Sequence, residues 1–179
     1  MLDLILETIW LLLPAYTPNN FAVVFGGGIP IDLGKTFIDG RRILGDGKTI
    51  RGFVAGVLGG LLVAHIQLIV EPILNFKIYS NLSYIQFLQL TFLLSFGSMV
   101  GDSVGSFIKR RFGFERGKSF PILDQLTFLI FAYLFASLSP IFNLLFTLDI
   151  IILSIFITPI LHLIANIIAY MLKLKEVPW

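Results

Sequence analysis

Five long apolar stretches alternate with polar loops along the chain. They cover residues 2–24, 50–72, 84–108, 121–145 and 148–172. Each corresponds to about 33–37 Å of helix at about 1.5 Å per residue, which is enough to cross a hydrocarbon core of about 30 Å. The first stretch is predicted to bend because it contains four interrupting residues, Pro14, Pro18, Asn19 and Asn20. The pattern predicts an all-α polytopic membrane protein with five transmembrane helices.

The composition agrees with this class. The 179 residues are 56% hydrophobic and 13% charged, with a mean hydropathy of +0.91, values outside the usual range of soluble domains. The absence of cysteine excludes disulfides and cysteine metal sites. The sequence contains no long repeat, low-complexity tract or linker, so we expect residues 1–179 to form a single integral-membrane domain. The turn around Thr147 is so short that the last two spans must form a tight hairpin.

The basic residues are distributed asymmetrically. Twelve of the thirteen fall in or beside the loops 25–49 and 109–120 and in the C-terminal tail, whereas Lys77 lies on the other side. The positive-inside rule then places both loops and the C-terminus in the cytoplasm and the N-terminus outside. We therefore expect a multi-pass protein of the cell membrane whose active site, formed by the two basic loops, faces the cytoplasm.

Two spans carry glycines four residues apart, namely Gly52, Gly56 and Gly60 in the second span and Gly97, Gly101 and Gly105 in the third. Small residues at this spacing let two helices approach closely in lipid. Packing of the second row turns the neighbouring Asp102 toward the interior of the bundle.

Candidate chemistry concentrates between residues 97 and 127. Asp102 lies in the third span, two turns before the basic run Lys109-Arg110-Arg111, and Asp124 lies in the first turn of the fourth span. A carboxylate at membrane depth costs roughly 2.5–3.5 kcal/mol on insertion scales and needs a partner. For Asp102 the alternative to metal binding is an interfacial ion pair with Lys109 or Arg110, and for Asp124 it is ordinary helix capping.

A metal site beside phosphate-binding cations would explain why these acids and cations lie close together in the sequence. Asp102, Ser106 and Lys109 share one helix face. Two acids can hold a divalent metal, and a metal beside Lys and Arg suits a polyphosphate. The sequence therefore predicts phosphoryl or nucleotidyl transfer at a membrane surface, with Asp102 and Asp124 as metal ligands and Lys109 and Arg110 as catalytic cations.

The first loop is rich in glycine and in alternating charges, which suits a phosphate ligand although a plain solvated loop would look similar. The segment Gly45–Thr49 lacks the GxxxxGK[ST] spacing, so a Walker motif is excluded. His65 and His162 lack ligand spacing and are expected to be buried hydrogen-bonding side chains. The candidate substrate-binding residues are Asn19, Asp32, Lys35, Arg41, Arg42, Asp46, Lys48, Thr49, Arg51, Ser106 and Lys118.

These segments resemble a known family. The run SFIKRR at 106–111, preceded by Gly101-Asp102 and followed by Asp124-Gln125, resembles the signature of the CTP-dependent phosphatidate cytidylyltransferase superfamily. Pro14-Ala15-Tyr16, GGGIPID at 26–32 and DGRRILGDGKTIRGF at 39–53 resemble its short archaeal branch, the CDP-archaeol synthases. The chain departs from the bacterial pattern, which is longer and reads Asp-Arg at the second acid after a Gly-His-Gly-Gly stretch.

The resemblance implies a reaction and its partners. CTP would react with 2,3-di-O-geranylgeranylglyceryl phosphate, an isoprenoid lipid phosphate drawn from membrane lipid, to give the CDP-activated lipid and pyrophosphate with Mg²⁺ as cofactor. Asp102 and Asp124 would be the metal-binding acids, and Ser106, Lys109 and Arg110 the signature basic segment. No nucleic acid partner is implied.

Three alternative functions lead to different expectations. A bacterial-type phosphatidate cytidylyltransferase would use a diacyl lipid. A CDP-alcohol phosphotransferase needs a DG..AR start and two further aspartates four apart, and DGRRILG at 39–45 provides neither. A small membrane transporter would place charges near the bilayer midplane and show repeat symmetry, whereas here the acids cluster at one face and no repeat is visible.

Overall fold

The computed structural model describes residues 2–115, 118, 120 and 123–174. This part of the chain contains seven helices and, outside them, two isolated bridges between Pro30 and Thr49 and between Thr36 and Arg42. The helices are α1 Leu2–Tyr16, α2 Pro18–Phe25, α3 Ile50–Leu74, α4 Tyr84–Arg111, α5 Leu123–Ala136, α6 Phe142–Leu145 and α7 Leu148–Met171. The predicted helical class is confirmed.

Three helices among the described residues, α3, α4 and α7, are long and apolar enough to cross a membrane, which agrees with a multi-pass membrane protein. The first predicted stretch is divided where α1 and α2 meet at Thr17, since Pro18 starts the second helix. The fourth is divided as well, because α5 has only 14 residues and ends shortly before Pro140. The orientation and the exact set of five spans stay predictions.

The third predicted stretch ends too early. The sequence pattern ends it at residue 108, whereas α4 continues to Arg111, so the three cations occupy the last helical turn rather than a loop. Cations are favourable there because they face the negative end of the helix dipole. Part of the sequence prediction lies outside the described residues, namely Arg116, Lys175 and the start of the fourth span at Pro121.

Helix α4 lies at the centre of the bundle and contacts α5 through its glycine row. A Cβ atom added at Gly97 would lie 2.5 Å from the Phe131 carbonyl oxygen, and one added at Gly101 would lie 2.5 Å from that of Thr127. Gly56 of α3 similarly lies against Met99 of α4. The glycine spacing therefore serves close helix packing, as predicted.

Another face of α4 packs on α1 through side-chain hydroxyls. Ser95 donates a hydrogen bond to the Pro14 carbonyl at 2.9 Å, and Ser98 donates one to the Ala15 carbonyl at 2.7 Å. Both serines are fully buried. Asp102 lies one turn beyond Ser98, so it faces the interior next to the junction of α1 and α2.

At the end of the bundle opposite to Asp102, a fully buried carboxylate holds α1 and the loop after α3 together. Glu71 accepts hydrogen bonds from the Trp10 indole at 2.9 Å and from the backbone N–H groups of Tyr79 and Ser80 at 2.9 and 2.7 Å. Burial, and then the charge of Glu71, raise the pKa of the Tyr79 phenol, whose hydroxyl donates to the Leu11 carbonyl. This network fixes the loop after α3 far from the two basic loops.

The two lone histidines form hydrogen bonds, as expected, but both are half-buried rather than buried. His65 contacts the Leu61 carbonyl at 2.8 Å and the Tyr84 hydroxyl at 3.2 Å. His162 contacts the Asn166 amide at 3.1 Å.

Candidate active site

The two basic segments meet at one end of the bundle. Arg41, from the loop between α2 and α3, donates a hydrogen bond to the Arg111 carbonyl at the end of α4 at 2.6 Å. Arg110 donates to the Leu44 carbonyl at 3.3 Å and also contacts the Phe114 carbonyl. The loop between α2 and α3 is therefore folded over the C-terminal end of α4.

Asp32 organises this first loop from within. Its side chain is fully buried and accepts hydrogen bonds from Arg42 at 2.7 Å and from the backbone N–H groups of Gly34, Leu44 and Gly45 at 2.9–3.1 Å. The Arg42 guanidinium, supported by these N–H groups, holds the pKa of the Asp32 carboxyl well below its usual range. All its acceptor positions face the loop itself, so the structure gives this predicted substrate ligand an internal role.

Arg42 links Asp32 to a second acid. It contacts Asp46 at 2.7 Å, and the two carboxylates raise the pKa of its guanidinium. Thr49 caps α3, since its hydroxyl accepts the Gly52 N–H at 3.0 Å. Arg42, Asp46 and Thr49, all predicted substrate ligands, thus have structural partners in the loop or in the first turn of α3.

Asp102 is paired with a lysine from the same loop. The Lys48 ammonium contacts one Asp102 oxygen, and the two side chains are only 25% and 24% exposed. This pair joins α4 to the segment that leads into α3. The predicted alternative of a pair between Asp102 and Lys109 or Arg110 is not the arrangement observed among the described residues.

Asp124 is paired with a lysine of α4. Lys109 contacts its two oxygens at 3.0 and 2.9 Å, and the backbone N–H of Phe120 donates to it at 2.9 Å. The Asp124 side chain is 26% exposed. Both candidate acids therefore lie half-buried at the same end of the bundle, and each is paired with a lysine.

The two acids have separate partners. Lys109 lies seven residues beyond Asp102, a rise of about 10 Å at about 1.5 Å per residue, so Asp124 lies nearer the end of α4 than Asp102 does. No group of three or more His, Cys, Asp or Glu residues suited to a metal occurs within the described part of the chain. Asp102 and Asp124 are therefore not joined by further His, Cys, Asp or Glu residues in a metal-binding group within this part of the chain.

Arg111 was not among the candidates from sequence. Its guanidinium lies 4.9 Å from the ring centres of both Phe37 and Phe107. It pairs with Asp39 at 2.7 Å and donates to the Arg42 carbonyl at 2.5 Å. Together with the reverse bond from Arg41, these contacts fix the loop to α4; the sequence signals were only a third cation in the run and two phenylalanines.

The remaining candidates are more open. Arg51 donates to the Phe25 carbonyl at 2.7 Å, and Lys118 lies 3.6 Å from Glu115 with 61% of its side chain exposed. Lys35 is exposed, whereas Ser106 and Asn19 are half-buried. Ser106 lies on α4 between Asp102 and Lys109, as its spacing predicts.

An apolar groove of about 600 Å³ lies beside the charged pairs. α3 and α4 form its walls, and Ile31 and Leu44 of the first loop lie at the same end as Lys48. Sequence patterns did not identify this groove because it depends on how two apolar helices diverge. Its lining comprises Ile31, Leu44, Ile50, Phe53, Val54, Phe96, Val100, Ser103, Val104 and Phe107.

Comparison with known proteins assigns the chain to a family. The family model for CarS-like CDP-archaeol synthase matches residues 1–179. The CDP-archaeol synthase of Archaeoglobus fulgidus is 65% identical over 100% of both chains. That of Methanocaldococcus jannaschii is 46% identical over 98% of both.

A solved structure agrees with the sequence relatives. It is described as an intramembrane enzyme for archaeal membrane lipid biosynthesis, and it matches with a TM-score of 0.75 and 36% identity over 91% of this chain and 94% of that chain. The resemblance seen in the sequence is confirmed, and homologues of this kind indicate a CTP-dependent transferase of lipid biosynthesis. The chain belongs to the CDP-archaeol synthase family of membrane cytidylyltransferases.

Proposed function

We propose that this protein transfers CMP from CTP to the phosphate of 2,3-di-O-geranylgeranylglyceryl phosphate, forming the CDP-activated lipid and pyrophosphate. The observation that carries the proposal is the placement of two lysine-paired carboxylates beside an apolar groove of about 600 Å³. A lipid phosphate needs both surroundings at once, a cationic one for its head and an apolar one for its chains. The relatives are named CDP-archaeol synthases, which supports an archaeol-type lipid as the acceptor.

Mg²⁺ fits the donor set of the site. This ion is usually bound through one or two carboxylates together with phosphates and water, and Asp102 and Asp124 offer two carboxylates. In this structure each carboxylate is balanced by an ammonium group, which would have to move aside for the ion. When bound there, Mg²⁺ would neutralise charge on the reacting phosphates.

The reaction requires positioning more than acid–base chemistry. An oxygen of the lipid phosphate forms a bond to the α-phosphorus of CTP, and the bond from that phosphorus to the leaving pyrophosphate breaks. A phosphate monoester has a second pKa near 6, so the nucleophile is ionised at neutral pH and needs no general base. Lys48, Lys109 and Arg110 would orient the two anions and neutralise the leaving group.

The apolar groove would receive the isoprenoid chains. Its walls are two helices that carry exposed apolar residues, such as Val54 in the groove and Leu58 one turn further along α3, so a lipid can enter sideways from the bilayer. The same end of the bundle carries the two basic loops, which the positive-inside rule places in the cytoplasm. We infer that lipid and CTP meet at the cytoplasmic surface of the membrane.

A transfer assay with a lipid panel tests the proposal. Purified protein is incubated with labelled CTP, Mg²⁺ and either the geranylgeranyl diether phosphate or a diacyl phosphatidate, and we expect a CDP-lipid from the diether. Asp102→Asn and Asp124→Asn should each lower turnover by at least about 100-fold. Asp149→Asn is the matched control, since Asp149 is an exposed acid in the first turn of α7.

Each outcome has a defined meaning. Wild-type turnover in Asp102→Asn would refute the metal assignment. A product formed only from the diacyl lipid would favour the bacterial-type alternative instead.

A further inference from the structure

The acids of this end of the molecule have two kinds of partner. Asp32 is bound by the Arg42 guanidinium and by backbone N–H groups, with its side chain fully buried. Asp102 and Asp124 are each bound by a lysine ammonium and remain about one quarter exposed. The first arrangement is fixed on several sides, whereas the second depends mainly on one flexible side chain.

We propose that Lys48 and Lys109 are internal counter-ions that determine which cation the site accepts. They occupy the two carboxylates until a divalent cation arrives together with the phosphates of a nucleotide. The site then discriminates against a bare divalent cation and in favour of a cation with its nucleotide. This inference rests on the proposed function, because it takes Asp102 and Asp124 as the metal ligands.

Charge balance supports this assignment. The two aspartates and the two lysines have a formal net charge of zero, so a bare divalent cation would raise the charge of this half-buried set to about +2. The displaced ammonium groups would then lie beside that cation without an anion. Nucleotide phosphates remove the conflict, since they provide the anions that the two released lysines need.

The chemistry of lysine suits an exchangeable partner. Its ammonium is a compact charge on a flexible stem, so it can turn from a carboxylate to a phosphate without movement of the helix backbone. Arginine would bind a carboxylate through a rigid fork, as Arg42 does at Asp32. Lysine therefore occurs at Asp102 and Asp124, where we propose an exchange of partners, and arginine occurs at Asp32, where the pair is permanent.

The consequence is a coupling between cation and nucleotide. If a lysine must leave each carboxylate, removal of that lysine strengthens cation binding in the absence of nucleotide. Typical coupling between two ligands is about 5–150-fold. We expect each single substitution, Lys48→Met or Lys109→Met, to tighten binding of a bare cation by about tenfold.

Binding of Mn²⁺ alone, measured by electron paramagnetic resonance on the full chain in detergent, tests this inference without turnover. Wild-type protein should bind Mn²⁺ weakly, and the two lysine variants should bind it about tenfold more tightly. Lys77→Met is the matched control because Lys77 is an exposed lysine after α3, at the opposite end of the bundle. It should bind Mn²⁺ like the wild type. Lys48→Gln and Lys109→Gln provide polar substitutes if a methionine variant does not fold.

Two results would overturn the inference. The first is equal Mn²⁺ affinity in wild-type protein and in all folded Lys48 and Lys109 variants. The second is tight Mn²⁺ binding that survives addition of Asp102→Asn to Lys48→Met, which would place the cation elsewhere and also remove the metal assignment. Failure of the proposed transfer reaction is seen separately, as absence of CDP-lipid in the assay with labelled CTP.

Discussion

Replacement of Asp32 by asparagine should loosen the loop between α2 and α3 while leaving the helices intact. In the native loop, one Asp32 oxygen accepts the N–H groups of Leu44 and Gly45, both at 2.9 Å. The other accepts Arg42 at 2.7 Å and the N–H of Gly34 at 3.1 Å. Asparagine offers one carbonyl oxygen, so in either orientation its NH₂ group faces donors.

The size of the effect follows from the donors left without an acceptor. At least two donors lose their partner, and each buried unsatisfied group costs about 1–3 kcal/mol. The loop should therefore lose about 2–6 kcal/mol of local stability. Because all these contacts lie within the loop, the loss should appear as local opening rather than as global unfolding.

Amide hydrogen exchange in the full chain measures this opening directly. A loss of 2 kcal/mol corresponds to exchange about 30-fold faster, since about 1.4 kcal/mol is a factor of ten, and we expect it for the amides of Leu44 and Gly45. Asp46→Asn is the control. Asp46 contacts the same Arg42 but is 64% exposed, so its loss should cost at most about 1 kcal/mol.

One pattern of exchange and binding would contradict a purely internal role for Asp32. Unchanged exchange at Leu44 and Gly45 in Asp32→Asn, combined with loss of CTP binding, would make Asp32 a direct substrate ligand. That is the role predicted from the sequence, and it would show that the buried contacts of this carboxylate rearrange when nucleotide binds.

Three further predictions concern pH, Arg111 and Gly101. The folded pKa of Asp32 is depressed, so its contribution to loop stability is present above the unfolded value of about 3.9 and is lost as pH falls from there toward the lower folded value. The protection factor of the loop amides, which is the intrinsic exchange rate divided by the observed rate, should therefore fall below about pH 4 in the wild type but not further in Asp32→Asn. Arg111→Lys keeps the charge but loses the planar guanidinium that stacks on Phe37, so we expect about tenfold lower kcat/KM for CTP and faster amide exchange at residues 37–42. The control Lys77→Met should behave like the wild type, and equal kinetics in the two variants would contradict this prediction. Gly101→Ala places a Cβ atom 2.5 Å from the Thr127 carbonyl oxygen, about 1 Å inside a normal carbon–oxygen contact, so α5 must move by about that distance. Turnover should fall up to about 100-fold in protein whose circular dichroism is unchanged. Unaltered turnover would show that the site tolerates the shift.

The parts of the fold that the sequence predicts are those decided by local pattern. Helices α3, α4 and α7 follow from apolar length, and the close packing of Gly101 follows from its spacing to the other glycines. The inward direction of Asp102 follows from its place beside that row. Each of these features depends on residues within one or two turns of each other.

The parts that the sequence misses depend on distant partners. Asp32 and Asp102 both lie among glycines and cations, yet one is bound by Arg42, ten residues away, and the other by Lys48, 54 residues away. Composition does not distinguish these environments. The apolar groove is likewise formed by residues of two helices and a loop, and Arg111 gains its role from Phe37 in another segment.

Helix α4 connects the charged and the apolar parts of the proposed site. It carries Asp102 and Lys109 on one face and Phe107, which lines the apolar groove, on another. Phe107 also contacts the Arg111 guanidinium, so the apolar and the charged parts of the proposed site share a wall. Because these side chains project from one rigid helix, the distance between a lipid in the groove and the cations proposed to bind phosphate would be set by helix geometry rather than by loop conformation. A substitution that shortens or bends α4 near Ser106 should therefore impair lipid and nucleotide use together, whereas a substitution in the first loop alone should impair nucleotide use first.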